Sequence, residues 1–293
     1  MLSPACRLAL CLAFALPATA AVAPDELAAA RTLAQTPGQS AAARQAFERL
    51  AAADPKNADV NYHLGQLANL RNEPEQAVGY FEAALAVEPN GARHFHGLGD
   101  AYGRSAVKAG LLSKWGLAKK CLAAYERAVA LDPSGIAYRL SLFEFYRQAP
   151  GFAGGGFDKA AAQAEAVKKL DANRGRLAYV ALYVGEKKFA AAFAQFDEIL
   201  ATRPDDYFAL FHVGKLAATT GESVDRGLAA LRRCLALPVP SGQPGHAAVQ
   251  LHLGQLLEKK SDPAAARAAY TASLALNPNS ASAAEALKKL DRR

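Results

Sequence analysis

ADVNYHLGQLANLRNEPEQAVGYFEAALAVEPNG, residues 58–91, contains two apolar periodicities separated by a short turn. Leu64, Leu67 and Ala68, with Asn61 one turn earlier, share one face of a first helix. Ala77, Phe81, Ala84 and Leu85 fall at i, i+4, i+7 and i+8 on a second. Asn72-Glu73-Pro74 makes the turn between them, its proline suited to the first position of a helix, and Pro89 ends the second helix because it lacks an N–H and disfavours helical geometry at Glu88. Gly65 and Ala84 are small where two antiparallel helices would approach, and Phe81 fills the space between them. Such a hairpin has apolar surface left over on its outside, so it needs neighbours.

The neighbours are written in the same alphabet. Leu98-Gly99 follows Leu64-Gly65 by 34 residues, and Pro89 follows Pro55 by the same interval. A fixed period of this size means stacked repeats. Seven copies are read, at about 24–57, 58–91, 92–133, 136–172, 173–206, 207–240 and 247–280, followed by a capping helix over 281–293. The first is eroded: it keeps Ala43, Phe47 and Pro55 but has Ala30-Arg31 where the template has Leu64-Gly65, as terminal repeats often do. The fifth keeps Ala192, Phe196 and Pro204; the sixth keeps Val213-Gly214 but shifts Gly227, Leu231 and Cys234 by one residue. The seventh restores Leu253-Gly254, Ala266, Tyr270 and Pro278. The cap is apolar at Ala283, Ala284, Leu287 and Leu290 and basic at its end, as the helix dipole favours.

Residues 1–20 stand apart from this pattern. Arg7 and the amino terminus give a short positive region, LALCLAFAL over 8–16 is apolar but too short to span a bilayer, and Ala18-Thr19-Ala20 is a small-x-small cleavage pattern. A secretory signal peptide is expected, which implies an exported, periplasmic protein. No later stretch is apolar enough to span a membrane. The formal net charge of +7 is spread along the chain, without the basic stripe interleaved with aromatics that nucleic-acid binding needs. Cys121 and Cys234 remain after cleavage, at the small-residue positions that Ala77 and Ala84 hold in the template. They are expected to be core hydrophobes, with intermolecular redox pairing as the alternative.

Three departures from the period carry the individuality of the chain. Ten extra residues enter the third repeat around Ser105 to Leu117, bringing Lys108, Leu111, Leu112, Lys114 and the only tryptophan, Trp115. They read either as a longer helix pair whose apolar side folds back on its neighbour, or as an apolar and basic contact patch. The fourth repeat breaks at Pro150 into Gly151-Phe152-Ala153-Gly154-Gly155-Gly156. A glycine loop before a helix suggests phosphate binding, but no Gly-Lys-Ser/Thr follows and Asp158 would repel an anion. A lengthened turn is expected instead, with Asp158 as helix cap and Phe152 or Phe157 tucked against the stack. Pro238 to Gly245 is a stiff linker between the sixth and seventh repeats.

The Leu-Gly, Ala, Phe/Tyr, Ala, Pro pattern at 64-65, 77, 81, 84 and 89, again at 98-99, 121, 125, 128 and 133, and at 253-254, 266, 270 and 278, resembles the tetratricopeptide repeat. The resemblance implies an all-α fold, a right-handed α-solenoid of about seven helical hairpins whose first helices line a concave groove. By the family's register, one row of groove positions would be Tyr62, His96, Leu140, Leu177, Phe211 and Leu251. The other would be Gln66, Asp100, Glu144, Ala181, Lys215 and Gln255. Each of these either faces the groove or packs between adjacent first helices. An apolar-aromatic row beside a polar one suits an extended or helical peptide. With only Lys215 able to act as a clamp cation, capture of a C-terminal carboxylate is not expected.

The six histidines do not make a catalytic or metal site. His63, His212 and His252 recur because the repeat recurs, and His94 and His96, two apart, point to different sides of a helix. No nucleophile has a recognisable acid-base partner spacing. The expected function is a non-catalytic scaffold that binds a protein or peptide in cell-envelope assembly or secretion, without cofactor or metal, as a monomer. The alternatives are tethering of peptidoglycan or anionic polysaccharide, which salt would weaken, and structural self-assembly.

Overall fold

A computed structural model describes residues 22–292; the expected signal peptide lies outside them. The described residues form fifteen α-helices, one short 3-10 turn and no strand, and they divide into two compact units, one ending at Pro133 and the other beginning at Ser134. The first unit holds α1 (Pro24–Gln35), α2 (Ser40–Ala53), α3 (Ala58–Leu70), α4 (Pro74–Val87), α5 (Ala92–Lys108) and α6 (Leu111–Leu131). The second holds α7 (Ile136–Gln148), α8 (Phe157–Leu170), α9 (Ala172–Gly185), α10 (Phe189–Leu200), α11 (Tyr207–Thr220), α12 (Val224–Leu235), α13 (His246–Lys259), α14 (Pro263–Leu276) and α15 (Ala281–Leu290). Within each unit every helix packs on the next, and first helices also touch first helices, α1 with α3, α3 with α5, α7 with α9 and α11 with α13. This is the all-α solenoid arrangement of stacked hairpins.

Local chemistry sets the punctuation. Proline ends a second helix, and the residue two places on becomes the N-cap of the next first helix: Asn57 after Pro55, Gly91 after Pro89, Asp206 after Pro204 and Ser280 after Pro278. The Asn57 side chain accepts from the Val60 N–H at 3.1 Å, and Asp206 from that of Ala209 at 3.0 Å. Each bond satisfies a donor that the helix start leaves open. Inside the hairpins, the tight turn passes through a left-handed residue, Asn72 before Pro74 and Ser261 before Pro263.

Packing explains the Leu-Gly pair. Phe81 is fully buried, and a Cβ at Gly65 would stand 2.8 Å from its ring. Tyr125 lies against Gly99 and Tyr270 against Gly254 in the same way, at 2.5 and 2.4 Å. Each aromatic therefore needs a bare backbone on the first helix of its own hairpin. The core of the first unit is built of Phe47, Val60, Leu64 and Leu67, then Phe81, Leu98 and Ala101. That of the second centres on Phe196, Phe208, Phe211, Val213 and Leu231.

The insertion lengthens one hairpin. α5 has 17 residues and α6 has 21, against 13 and 14 in α3 and α4. The glycine loop departs from expectation in one respect: Asp158 does not cap α8. The loop folds back so that the Gly156 N–H donates to the Tyr146 carbonyl at 2.8 Å, which makes Gly156 the N-cap and leaves Asp158 in the first turn. A Cβ at Gly155 would fall 1.7 Å from the Ala149 carbonyl oxygen, so this close return requires glycine. Phe157 meets the Tyr183 ring at 6.2 Å, whereas Phe152 is 73 % exposed. The proline linker is pinned at both ends, by Tyr207 donating to the Pro244 carbonyl at 2.7 Å and by the His246 ring on the Leu237 carbonyl at 3.1 Å. α15 buries Ala283 and Leu290, while Ala284 faces solvent.

Candidate functional site

In the first unit α3 and α5 run side by side, and the residues they share form a cleft of about 290 Å³. Its walls include Tyr62 and Gln66 from α3 and His96, Asp100 and Arg104 from α5, with Ala34 and Leu70 at its edge. The four groove positions expected from the first unit thus meet on one surface.

The walls are held from behind. Gln66 donates to the Tyr62 hydroxyl at 2.8 Å, and the Arg93 guanidinium lies 4.7 Å from the centre of the Tyr62 ring. The His94 ring meets the same tyrosine edge-on at 5.3 Å. Across the cleft, the Tyr125 hydroxyl donates to Asp100 at 2.7 Å, and the His96 ring lies 5.8 Å from that of Tyr125. Burial holds His96 below its ordinary pKa against the opposing pull of Asp100, so its ring is neutral at pH 7. Tyr62 and His96 supply neutral aromatic faces, and Gln66 and Asp100 supply polar edges.

Two ties in this unit lie outside the expected rows. Asn69, 8 % exposed, donates from α3 to the Gly97 carbonyl on α5 at 3.3 Å. Asp59 on α3 receives Arg31 from α1 and Arg93 from α5, the latter at 3.0 Å, with His63 at 3.9 Å. Burial works against the Asp59 carboxylate, yet Arg31 and Arg93 outweigh it and hold its carboxyl below the usual range. One carboxylate therefore joins three successive first helices, and it fixes the arginine that covers Tyr62.

The second unit places its expected residues differently. Phe211 is 3 % exposed and belongs to the core, where His252 from α13 meets it edge-on at 5.6 Å. Leu177 packs against the same core, and Leu251 against the cluster around Tyr270 and Leu290. Leu140 is half-buried on α7. Glu144 is engaged within its own helix by Arg147, at 2.9 Å to Nε, and by Gln148; Arg147 holds its carboxyl low. Lys215 is exposed on α11. Gln255 accepts from the His252 ring at 2.8 Å and lines a shallow pocket of about 420 Å³ with Ala218, Glu258 and Lys259.

In the insertion, Lys108 donates to the Asn72 carbonyl, Leu111 and Leu112 begin α6, and Lys114 lies 5.8 Å from the half-buried Trp115 ring. His94 is fully buried, with Nε2 2.7 Å from Glu88, a structural placement. Among the described residues no cluster of three potential metal ligands occurs, and no helix is long and apolar enough to cross a membrane.

Comparison with known proteins gives the arrangement a context. Residues 36–99 and 214–281 each match the family description "Tetratricopeptide repeat". The human mitochondrial import receptor subunit TOM70 is 25% identical over 193 residues, which is 65% of this chain and 25% of that protein. The chain thus spans about a quarter of the length of the curated relatives it matches. Yeast Tom70 is similar in structure, with a TM-score of 0.61 at 14% identity, over 91% of this chain and 56% of that one. A tetratricopeptide repeat protein from Parabacteroides merdae gives 0.58 at 14% identity, over 91% of this chain and 97% of that one. At these identities the structural likeness concerns the fold.

Proposed function

We propose that this chain, which matches the tetratricopeptide repeat over residues 36–99 and 214–281, is a non-catalytic scaffold that receives an extended peptide in the cleft between α3 and α5. The observation that carries the reading is the meeting of Tyr62, Gln66, His96 and Asp100 on one surface. An aromatic row takes side chains while a polar row takes backbone groups. Tyr62 is already fixed by Gln66 and Arg93, and walls ordered in advance lose little freedom on binding. The human relative is named as an import receptor subunit, and a receptor role is the part of that name this cleft suits.

We place this scaffold outside the cytoplasm, in the periplasm, in cell-envelope assembly or secretion. That placement rests on the charge, apolar run and cleavage pattern of residues 1–20. Two measurements test the proposal. Photo-crosslinking from position 66 in the native envelope should trap a polypeptide that is lost in Tyr62→Asp and His96→Asp variants of unchanged helicity. Identical crosslinking profiles would overturn the cleft reading. Fractionation with N-terminal sequencing should find the chain in the periplasm without its first twenty residues, and an intact Met1 in the cytoplasm would refute export.

A further inference from the structure

We infer that the peptide held between α3 and α5 carries an acidic side chain next to a large apolar one, and that Arg104 and Leu70 at one end of the cleft select it. This rests on the cleft being a peptide site and adds what that site prefers. Residues four apart share a helix face, so the row Tyr62, Gln66 continues to Leu70 on α3, and the row His96, Asp100 continues to Arg104 on α5. Leu70 and Arg104 hold the same place one 34-residue period apart, on helices that pack side by side, and both line the cleft.

Three groups at that end are left unanswered by the chain itself. Arg104 is exposed and has no ion-pair partner among the described residues. Asp100, the one acidic residue of α5, is taken instead by the Tyr125 hydroxyl at 2.7 Å and lies 4.0 Å from His96 Nε2. The surrounding charges leave the end positive, because Arg44 and Arg71 share the single carboxylate of Glu73 and Lys108 is held by the Asn72 carbonyl. Leu70 is 75 % exposed. Asn69, a buried residue lining the cleft, uses Nδ2 on the Gly97 carbonyl, while its Oδ1 has no hydrogen-bond partner among the described residues. A buried acceptor without a donor is costly, and a ligand N–H recovers that cost. A carboxylate meets a guanidinium through paired, charge-assisted hydrogen bonds, an apolar neighbour covers Leu70, and the backbone of an extended peptide supplies the N–H. A basic peptide would bring a like charge to Arg104, so charge selects the acidic one.

Short random peptides, displayed inside a carrier loop so that neither end is free, are selected on the full chain and on its variants at unchanged helicity. The wild type should enrich Asp or Glu next to Leu, Ile, Met or Phe. Arg104→Glu should exchange the acid for Lys or Arg and keep the apolar residue, whereas Leu70→Ser should keep the acid and lose the apolar preference. An enriched peptide should bind Arg104→Gln about tenfold or more weakly. Peptides that depend on Tyr62 but show no acidic preference overturn the proposal and leave the cleft reading standing, as does a preference unchanged in Arg104→Glu or in Leu70→Ser. If no enriched peptide loses binding in Tyr62→Asp, the cleft reading falls and this inference with it.

Discussion

The Tyr125 hydroxyl on α6 donates to the Asp100 carboxylate on α5 at 2.7 Å, so a wall of the cleft is fastened by a residue that packs in the hairpin core. Burial, then the charge of Asp100, pushes the phenol upward and keeps it protonated as a donor. Tyr125→Phe keeps the ring against Gly99 and removes only this bond. It should cost about 1–2 kcal/mol in urea unfolding and loosen Asp100 for any ligand. An unchanged midpoint would mean that water replaces the phenol without loss.

Two glycines in the same unit should respond in opposite directions to alanine. Gly97 faces Phe81 from the preceding repeat, and a Cβ there would lie 2.4 Å from the ring. The overpacking costs roughly 1–3 kcal/mol against a helix-propensity gain of about 1 kcal/mol, so Gly97→Ala should destabilise. Gly79 lies inside α4 with nothing within 4 Å of an added Cβ, and Gly79→Ala should stabilise by about 0.5–1 kcal/mol. Thermal melts of the two variants check both signs.

These positions also show what the sequence could reveal. Gly65, Gly99 and Gly254 were legible because each meets the large residue of its own hairpin, a relationship that repeats with the period. Gly97 meets a residue of the previous hairpin at a position the other repeats do not keep bare, so no recurrence announces it. The same holds for Arg31, Asp59 and Arg93, which in sequence look like ordinary solvated charges and come together only when first helices stack. Tyr62, Gln66, His96 and Asp100 were legible from register alone. Phe211 holds the same register position, yet α13 brings His252 across it. Burial there is decided by the neighbouring helix rather than by the periodicity of its own.

Acid should weaken both units before carboxylates titrate. His212 stacks on Phe196 with ring centres 5.6 Å apart, and burial, then the charges of Lys215 and His252, lower its pKa from 6.5 to about 4. Between those values the unfolded chain binds a proton that the folded chain excludes. The contribution of His212 is therefore complete above pH 6.5 and falls as pH drops, by up to about 1.4 kcal/mol per pH unit. His63, His96 and His252 are also lowered, chiefly by burial, and add with the same sign. Asp59, whose carboxyl is lowered, loses its contribution only further into acid. Urea midpoints at about pH 7, 6 and 5 should fall steadily, and less steeply in His212→Gln. A flat profile in the wild type would contradict the burial of these rings.

Cys121 and Cys234, the two thiols among the described residues, should be silent in the native state. Cys121 is 3 % exposed and Cys234 fully buried, and burial pushes each up to about 12. At about pH 8 only about one thiol in ten thousand would be ionised, and the thiolate is the reacting form. Neither residue should react with Ellman's reagent in buffer, and both should react in urea at the rate of unfolding. A fast reaction of either thiol in the folded protein, or a disulfide-linked dimer formed in air, would show that its helix opens locally and would return the cysteines to a redox role.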